Sequence, residues 1–255
     1  VVASNHADGT AYVTFDGHRQ NDFGIYVYMT ADFGETWKSI VANLPSNNGV
    51  VNVIREHHKN AELLFAGTEF GAYVSFDRGA YWTRIKMNLP MVPVDDIVIH
   101  PRDNDLVFGT HGRAIWILDD IAPLEGMNEK VAASEFTLFD VRPATSWRVY
   151  NHKASTGAKE FIGPNAANAA TIQYFLKNEI KDDPPPPGAA APAPAGGPGS
   201  GGGGGGGGFA ALLAQLGPPV RTTNKVRITI TDSEGKPVRT INGTGQAGIN
   251  RVTWD

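Results

Sequence analysis

Thr30-Ala31-Asp32-Phe33-Gly34-Glu35-Thr36-Trp37 and Ser75-Phe76-Asp77-Arg78-Gly79-Ala80-Tyr81-Trp82 are two copies of one pattern, Ser/Thr-x-Asp-x-Gly-x-x-Trp, set 45 positions apart. Each element has a mechanical job. The carboxylates of Asp32 and Asp77 accept backbone N–H bonds across a tight turn. Gly34 and Gly79 supply positive φ, and Trp37 and Trp82 cover the adjoining hairpin with apolar surface. Such a turn joins two antiparallel strands, and all six residues are expected to be structural.

The repeat extends beyond the turn. Val53-Ile54 recurs as Val98-Ile99, Leu64-Phe65-Ala66-Gly67-Thr68 as Val107-Phe108-Gly109-Thr110, Leu44-Pro45 as Leu89-Pro90, and Tyr28 answers Tyr73. The offset falls from 45 to 42 in the third copy because His57 to Leu63 is longer than its counterpart Arg102 to Leu106. That shorter shift sets Asp119 on Asp77, Ile121 on Gly79 and Leu124 on Trp82, so a third, decayed turn is expected there. Strand-rich repeats of about 40–50 residues are the mark of β-propeller blades. The expected fold is all-β, with about three blades of a larger ring over residues 1–133. Because blades bury their faces on neighbours around a closed ring, more blades are expected upstream.

On these residues, roughly Thr10 to Leu124, the chain resembles the Asp-box (BNR) repeat propellers of the sortilin and glycosyl-hydrolase type. The resemblance implies a secreted, periplasmic or cell-surface protein, of bacterial character. Its implied partners are a polysaccharide or glycan, or a protein or peptide ligand. Oligomeric state stays open.

The second half reads differently. Phe136 to Val141 alternates like a strand and ends in Arg142-Pro143, which suits an exit strand and connector over 134–160. Ala170–Leu176, Val226–Thr231, Pro237–Ile241 and Gly248–Trp254 read as strands, with a hairpin turn at Asp232-Ser233-Glu234-Gly235. Residues 161–255 are thus expected to form a small, incomplete β-sandwich. With Gly163-Pro164-Asn165, Lys225 to Asp232 and Gly248 to Trp254, it resembles the Ig-like module of flagellar-hook-cap type. That resemblance implies a spacing or attaching role. A Pro/Ala/Gly insert at 184–208 cannot bury enough apolar area to offset its ordering entropy and is expected to lack fixed structure. Phe209 to Leu216 would suit two turns of helix.

Charge and composition exclude several classes. A net charge of −4 and the lack of a basic stripe interleaved with aromatics argue against nucleic acid. No uncharged apolar run approaches the ~18 residues of a membrane-spanning helix, so no membrane insertion is expected. With no cysteine there is no disulfide, thiolate or Cys-ligated zinc. No cofactor or metal is expected: Asp103-Asn104-Asp105 lacks the calcium-loop spacing and suits a surface turn, and His57-His58 suits a solvated loop.

Alternating strand direction sends the loops between second and third strands to the disc face opposite the turns. Those loops carry Asp16, His18, Arg19 and Asp22, then Glu69, then His111 and Arg113. His18, Arg19, Asp22, His111 and Arg113 are the candidate ligand-binding residues. Their arginine forks and carboxylates suit a polar ligand near the axial funnel. The alternative is glycoside hydrolysis, which needs two facing carboxylates, and Glu69 with Asp16 are its candidate catalytic pair. Glu69 and His111 follow Gly-Thr at equivalent places, which also suits a turn-stabilising role. The expected function is a ligand- or glycan-binding scaffold, with the hydrolase as its alternative.

Overall fold

This computed structural model describes residues 1–45, 49–86, 88–146, 168–180 and 226–254. The chain is all-β and divides into two compact units, Val1–Ser134 and Glu135–Asp255.

The first unit holds three antiparallel sheets in chain order. The first contains β1 (Val2–Ala3), β2 (Ala11–Phe15), β3 (Tyr26–Thr30) and β4 (Lys38–Ser39). The second contains β5 (Val51–Glu56), β6 (Leu64–Thr68), β7 (Gly71–Ser75) and β8 (Thr83–Arg84). The third contains β9 (Val94–Ile99), β10 (Leu106–Thr110) and β11 (Ile115–Leu118). β5 lies against β1 and β2 on one side and against β9 on the other. Up-and-down sheets stacked face on face in this way form a partial β-propeller.

Burial follows position in the stack. β6 and β7 are buried at every residue because they have a sheet on each side, whereas β11 alternates exposed and half-buried with period two. Tyr12, Val27, Ile40, Ile54, Leu64, Tyr73 and Trp82 fill the layer between the first two sheets. Val53, Phe65, Val74, Val94, Ile97, Leu106 and Phe108 fill the next. Each such aliphatic or phenyl side chain stabilises the fold by about 1.5–3 kcal/mol relative to exposure. Gly67 marks the tightest crossing: a Cβ there would lie 2.7 Å from both Val53 Cγ1 and the Val94 carbonyl oxygen.

The two eight-residue turns use one hydrogen-bond scheme. Thr30 Oγ1 donates to Asp32 Oδ1 at 2.7 Å and accepts the Gly34 N–H at 3.0 Å, while the Thr36 N–H reaches Asp32 Oδ1 at 2.9 Å. Ser75, Asp77, Gly79 and Tyr81 repeat this at 2.7, 2.7 and 2.8 Å. Gly34 and Gly79 have φ of +92° and +86°. The preceding residue is also left-handed in both turns, Phe33 at 59° and Arg78 at 54°. Its N–H then ties the turn to the first loop of its own sheet, at Gly9 O and Glu62 O, both 2.9 Å.

The third turn keeps half of this scheme. Asp120 has the same left-handed φ, 50°, and its N–H is taken at 2.9 Å by the Asp105 carboxylate. Ile121 cannot copy the glycine: it adopts φ −84° and leads into α1 (Ala122–Gly126), so no fourth strand follows β11 among the described residues. α2 (Glu129–Ala133) comes next, its first turn capped by Asn128 Oδ1 accepting the Val131 N–H.

Three expectations change at the rims. Trp82 is 2% exposed but Trp37 is 44% exposed, so only the second tryptophan has the core burial expected of both. His57, expected to be solvated, is fully buried. The Lys59 N–H donates to its Nδ1 at 3.2 Å, which leaves Nε2–H to donate to Asn104 Oδ1 at 3.4 Å, with Glu125 Oε1 lying 3.1 Å from the same nitrogen. Burial pushes the His57 pKa below its usual value against the pull of Glu125. Asn104 also proves buried, in a left-handed turn.

The second unit contains two sheets. β12 (Phe136–Leu138), β13 (Ala170–Leu176) and β16 (Gly248–Trp254) form one, in the order β12-β13-β16. Phe136–Leu138, read from sequence as an exit strand, pairs with β13. β14 (Val226–Thr231) and β15 (Pro237–Gly243) form a hairpin, and Asp232 Oδ1 caps its turn by accepting the Glu234 and Lys236 N–H groups at 3.0 and 2.9 Å. Tyr174 and Leu176 are buried in this unit. The phrase at Gly163-Pro164-Asn165, the insert at 184–208 and the stretch Phe209 to Leu216 lie outside the described residues.

Candidate functional site

The loop between β2 and β3 is the longest of the three loops on its edge, and it folds on its own carboxylates. Asp16 Oδ1 accepts the His18 N–H at 2.9 Å and lies 2.6 Å from His18 Nδ1, which holds the single 3-10 turn His18–Gln20. Asp22 accepts the Gly24 N–H at 2.9 Å and the Tyr26 hydroxyl at 2.7 Å. Both carboxyl groups are held below the usual aspartate range, Asp16 by its bonds from His18 and Asp22 by its bonds from Gly24 and Tyr26. They are therefore ionised at neutral pH.

These carboxylates edge an aromatic cleft. Phe15, Asp16, Gly17, Gln20, Asp22, Tyr26, Tyr28 and Trp37 line a cavity of about 560 Å³. Phe15 and Tyr26 are directly paired across β2 and β3, and the Phe15 and Tyr28 rings meet edge-on with centroids 6.2 Å apart. Trp37 is turned back so that Nε1 donates to Gly34 O at 3.1 Å. The equivalent place on the second sheet is also open. Asn43, Pro45, Phe70, Tyr73, Trp82, Arg84 and Met91 line about 530 Å³ there, although the first sheet packs alongside.

The other candidates are not drawn into this cleft. Glu69, the partner proposed for Asp16, sits in the β6–β7 loop with its carboxylate folded over Gly49, and it is absent from the Asp16 cleft. His111 is highly exposed and lies 3.6 Å from Asp95. Arg113 and Arg19 are exposed on their loops. Asp16, His18, Arg19 and Asp22 thus share one loop, while Glu69 and the His111–Arg113 pair stand on two others. Among the described residues no cluster of three or more His, Asp or Glu side chains is arranged to hold a metal ion.

Sequence reasoning missed Phe15, Gln20, Tyr26 and Tyr28. A signal existed for the tyrosines, since Tyr26-Val27-Tyr28 has period two and puts both rings on one face of β3.

Fold and cleft together define a repeat protein of stacked antiparallel sheets with a polar, aromatic groove at one edge of the first sheet. No protein-family model matches the chain, and no curated protein matches it. Among solved structures, the crystal structure of an ancestral GH74 enzyme matches over 44% of this chain and 13% of that chain, at 21% identity and a TM-score of 0.37. The chain thus spans a small fraction of that enzyme's length.

Proposed function

We propose that the first unit is a glycan-binding segment of an exported propeller, with the Asp16–Trp37 cleft as its binding site. A sugar ring offers an apolar C–H face and a belt of hydroxyls. The rings of Tyr26, Tyr28 and Trp37 suit the first, and Asp16 and Asp22 accept from the second. One observation carries this reading: aromatic rings and two ionised carboxylates converge on a single cavity.

The same carboxylates favour binding over hydrolysis. A glycosidase acid must hold a proton at working pH, which requires a raised pKa. Asp16 and Asp22 are both shifted the other way. The test is calorimetric titration of neutral oligosaccharides, with reducing-sugar release measured in parallel. Tyr26→Ala and Asp22→Asn are expected to weaken binding about tenfold each, with no sugar released. Unchanged affinity in both variants would remove the cleft from the binding site. Sugar release that disappears in Asp16→Asn would establish the hydrolase instead.

A further inference from the structure

The aromatic frame of the Asp16 cleft recurs on the second sheet with the opposite charge. Tyr28 and Trp37 line the first cavity, and Tyr73 and Trp82, 45 positions on, line the second. Tyr28 pairs across its hairpin with Ser39, whereas Tyr73 pairs with Arg84, so a guanidinium stands where the first sheet has a hydroxyl. The loop carboxylates have no counterpart. Between β6 and β7 there is room only for Glu69 and Phe70, and Glu69 is folded over Gly49. Arg84 is thus the one charged residue among those lining this cavity of about 530 Å³.

The guanidinium is held in place without being neutralised. Nη2 donates to Phe70 O at 3.3 Å, and the head lies over Gly71, where a Cβ would stand 3.6 Å from both Nε and Nη2. Among the described residues no carboxylate lies within ion-pair distance of Arg84, and Nε and Nη1 have no hydrogen-bond partner. The walls are fixed as well. The Trp82 N–H donates to Asn43 Oδ1 at 2.7 Å, its carbonyl accepts from Asn43 Nδ2 at 2.8 Å, and its Nε1 donates to Ile40 O at 2.8 Å. Phe70 and Met91, both exposed, add apolar surface. A cavity with settled apolar walls and a cation whose donors remain open is preorganised for an anion with an apolar face.

We propose that this groove is a second saccharide site, one that takes a sugar unit bearing a carboxylate. The proposal rests on the glycan-binding reading of the first unit and adds to it a ligand of defined charge. The uronate carboxylate pairs with the open side of the Arg84 fork, and the C–H face of the ring lies on the wall that Phe70, Trp82 and Met91 contribute. The Asp16 cleft, edged by two carboxylates, repels such a unit, so the two grooves select different sugars.

Calorimetric titration at low salt compares trigalacturonate with its trimethyl ester, which keeps the rings and removes the charge. The chain is expected to bind the acid at least about tenfold more tightly than the ester. Arg84→Gln should abolish that preference while keeping neutral-saccharide binding at the Asp16 cleft and the urea midpoint, and Arg84→Lys should retain part of it. The preference is expected to persist in Tyr26→Ala, so that failure of the neutral site and failure of the Arg84 site give different patterns. Equal affinity for acid and ester, or a preference that survives Arg84→Gln, would overturn the proposal. So would a hexaglutamate peptide that binds through Arg84 as tightly as the acid, which would assign the groove to an acidic peptide.

Discussion

Replacing each tryptophan of the paired turns by alanine should give unequal losses of stability. A tryptophan buries roughly 150–250 Å² when enclosed, which at about 25 cal/mol per Å² is about 4–6 kcal/mol. Trp82, only 2% exposed, is in that position. Its removal also leaves the Ile40 carbonyl without its donor, so Trp82→Ala is expected to cost about 4–5 kcal/mol, near the upper range for such truncations. Trp37, 44% exposed, hides little more than half of its surface, and its indole bond stays within its own turn. Trp37→Ala is expected to cost about 2–3 kcal/mol by the same area reasoning. Urea unfolding followed by intrinsic fluorescence, with the slope unchanged, reads the difference. Equal losses in the two variants would refute the claim that stacking against a neighbouring sheet, rather than the turn itself, gives the tryptophan its weight.

Gly67→Ala drives a methyl group into Val53 and the Val94 backbone, and a loss of about 1–3 kcal/mol in the same assay is expected. Asn43→Ala leaves both backbone groups of Trp82 without their partner and should cost about 1–3 kcal/mol, with the m-value retained. The Asp32 carboxyl is lowered to about 2, first by the Thr36 hydroxyl bond. A depressed carboxylate stabilises the fold above its unfolded pKa of about 4 and loses that support as pH falls through the folded value, so Asp32→Asn should flatten the acid-unfolding curve between those limits. For His57 the folded state binds a proton less readily than the unfolded chain. Stability should therefore decline as pH drops through about 6.5, and a His57→Gln chain that kept the same decline would disprove the assignment.

The three-sheet half was legible because repetition makes it redundant. Asp32, Gly34, Asp77 and Gly79 occupy the turn roles their types dictate, and the 42-position register of the third copy is borne out by the left-handed Asp120. Reading failed where a residue's environment depends on what lies beside it in the stack. Trp37 and Trp82 stand in the same local pattern, yet only Trp82 meets a neighbouring sheet. His57 looked like loop polarity, but its burial comes from Glu125 and Asn104, far along the chain. The aromatic cleft was half visible: Asp16 and Asp22 could be picked as loop carboxylates, whereas Phe15 joined Tyr26 only through strand pairing.

The two halves of the chain face different search problems. In the first, every strand pairs with one adjacent in sequence and each turn is pinned to its own sheet, so contacts are local and ordering can start at any repeat. In the second, β13 finds β16 only after a long excursion, Leu176 meeting Gly248 and Ala170 meeting Trp254. Closing that excursion carries an entropy that grows with the logarithm of its length, roughly 0.6 kcal/mol for each doubling. Deleting the glycine run would hardly alter how firmly β13 holds β16, because it shortens the excursion by far less than the halving that is worth roughly 0.6 kcal/mol.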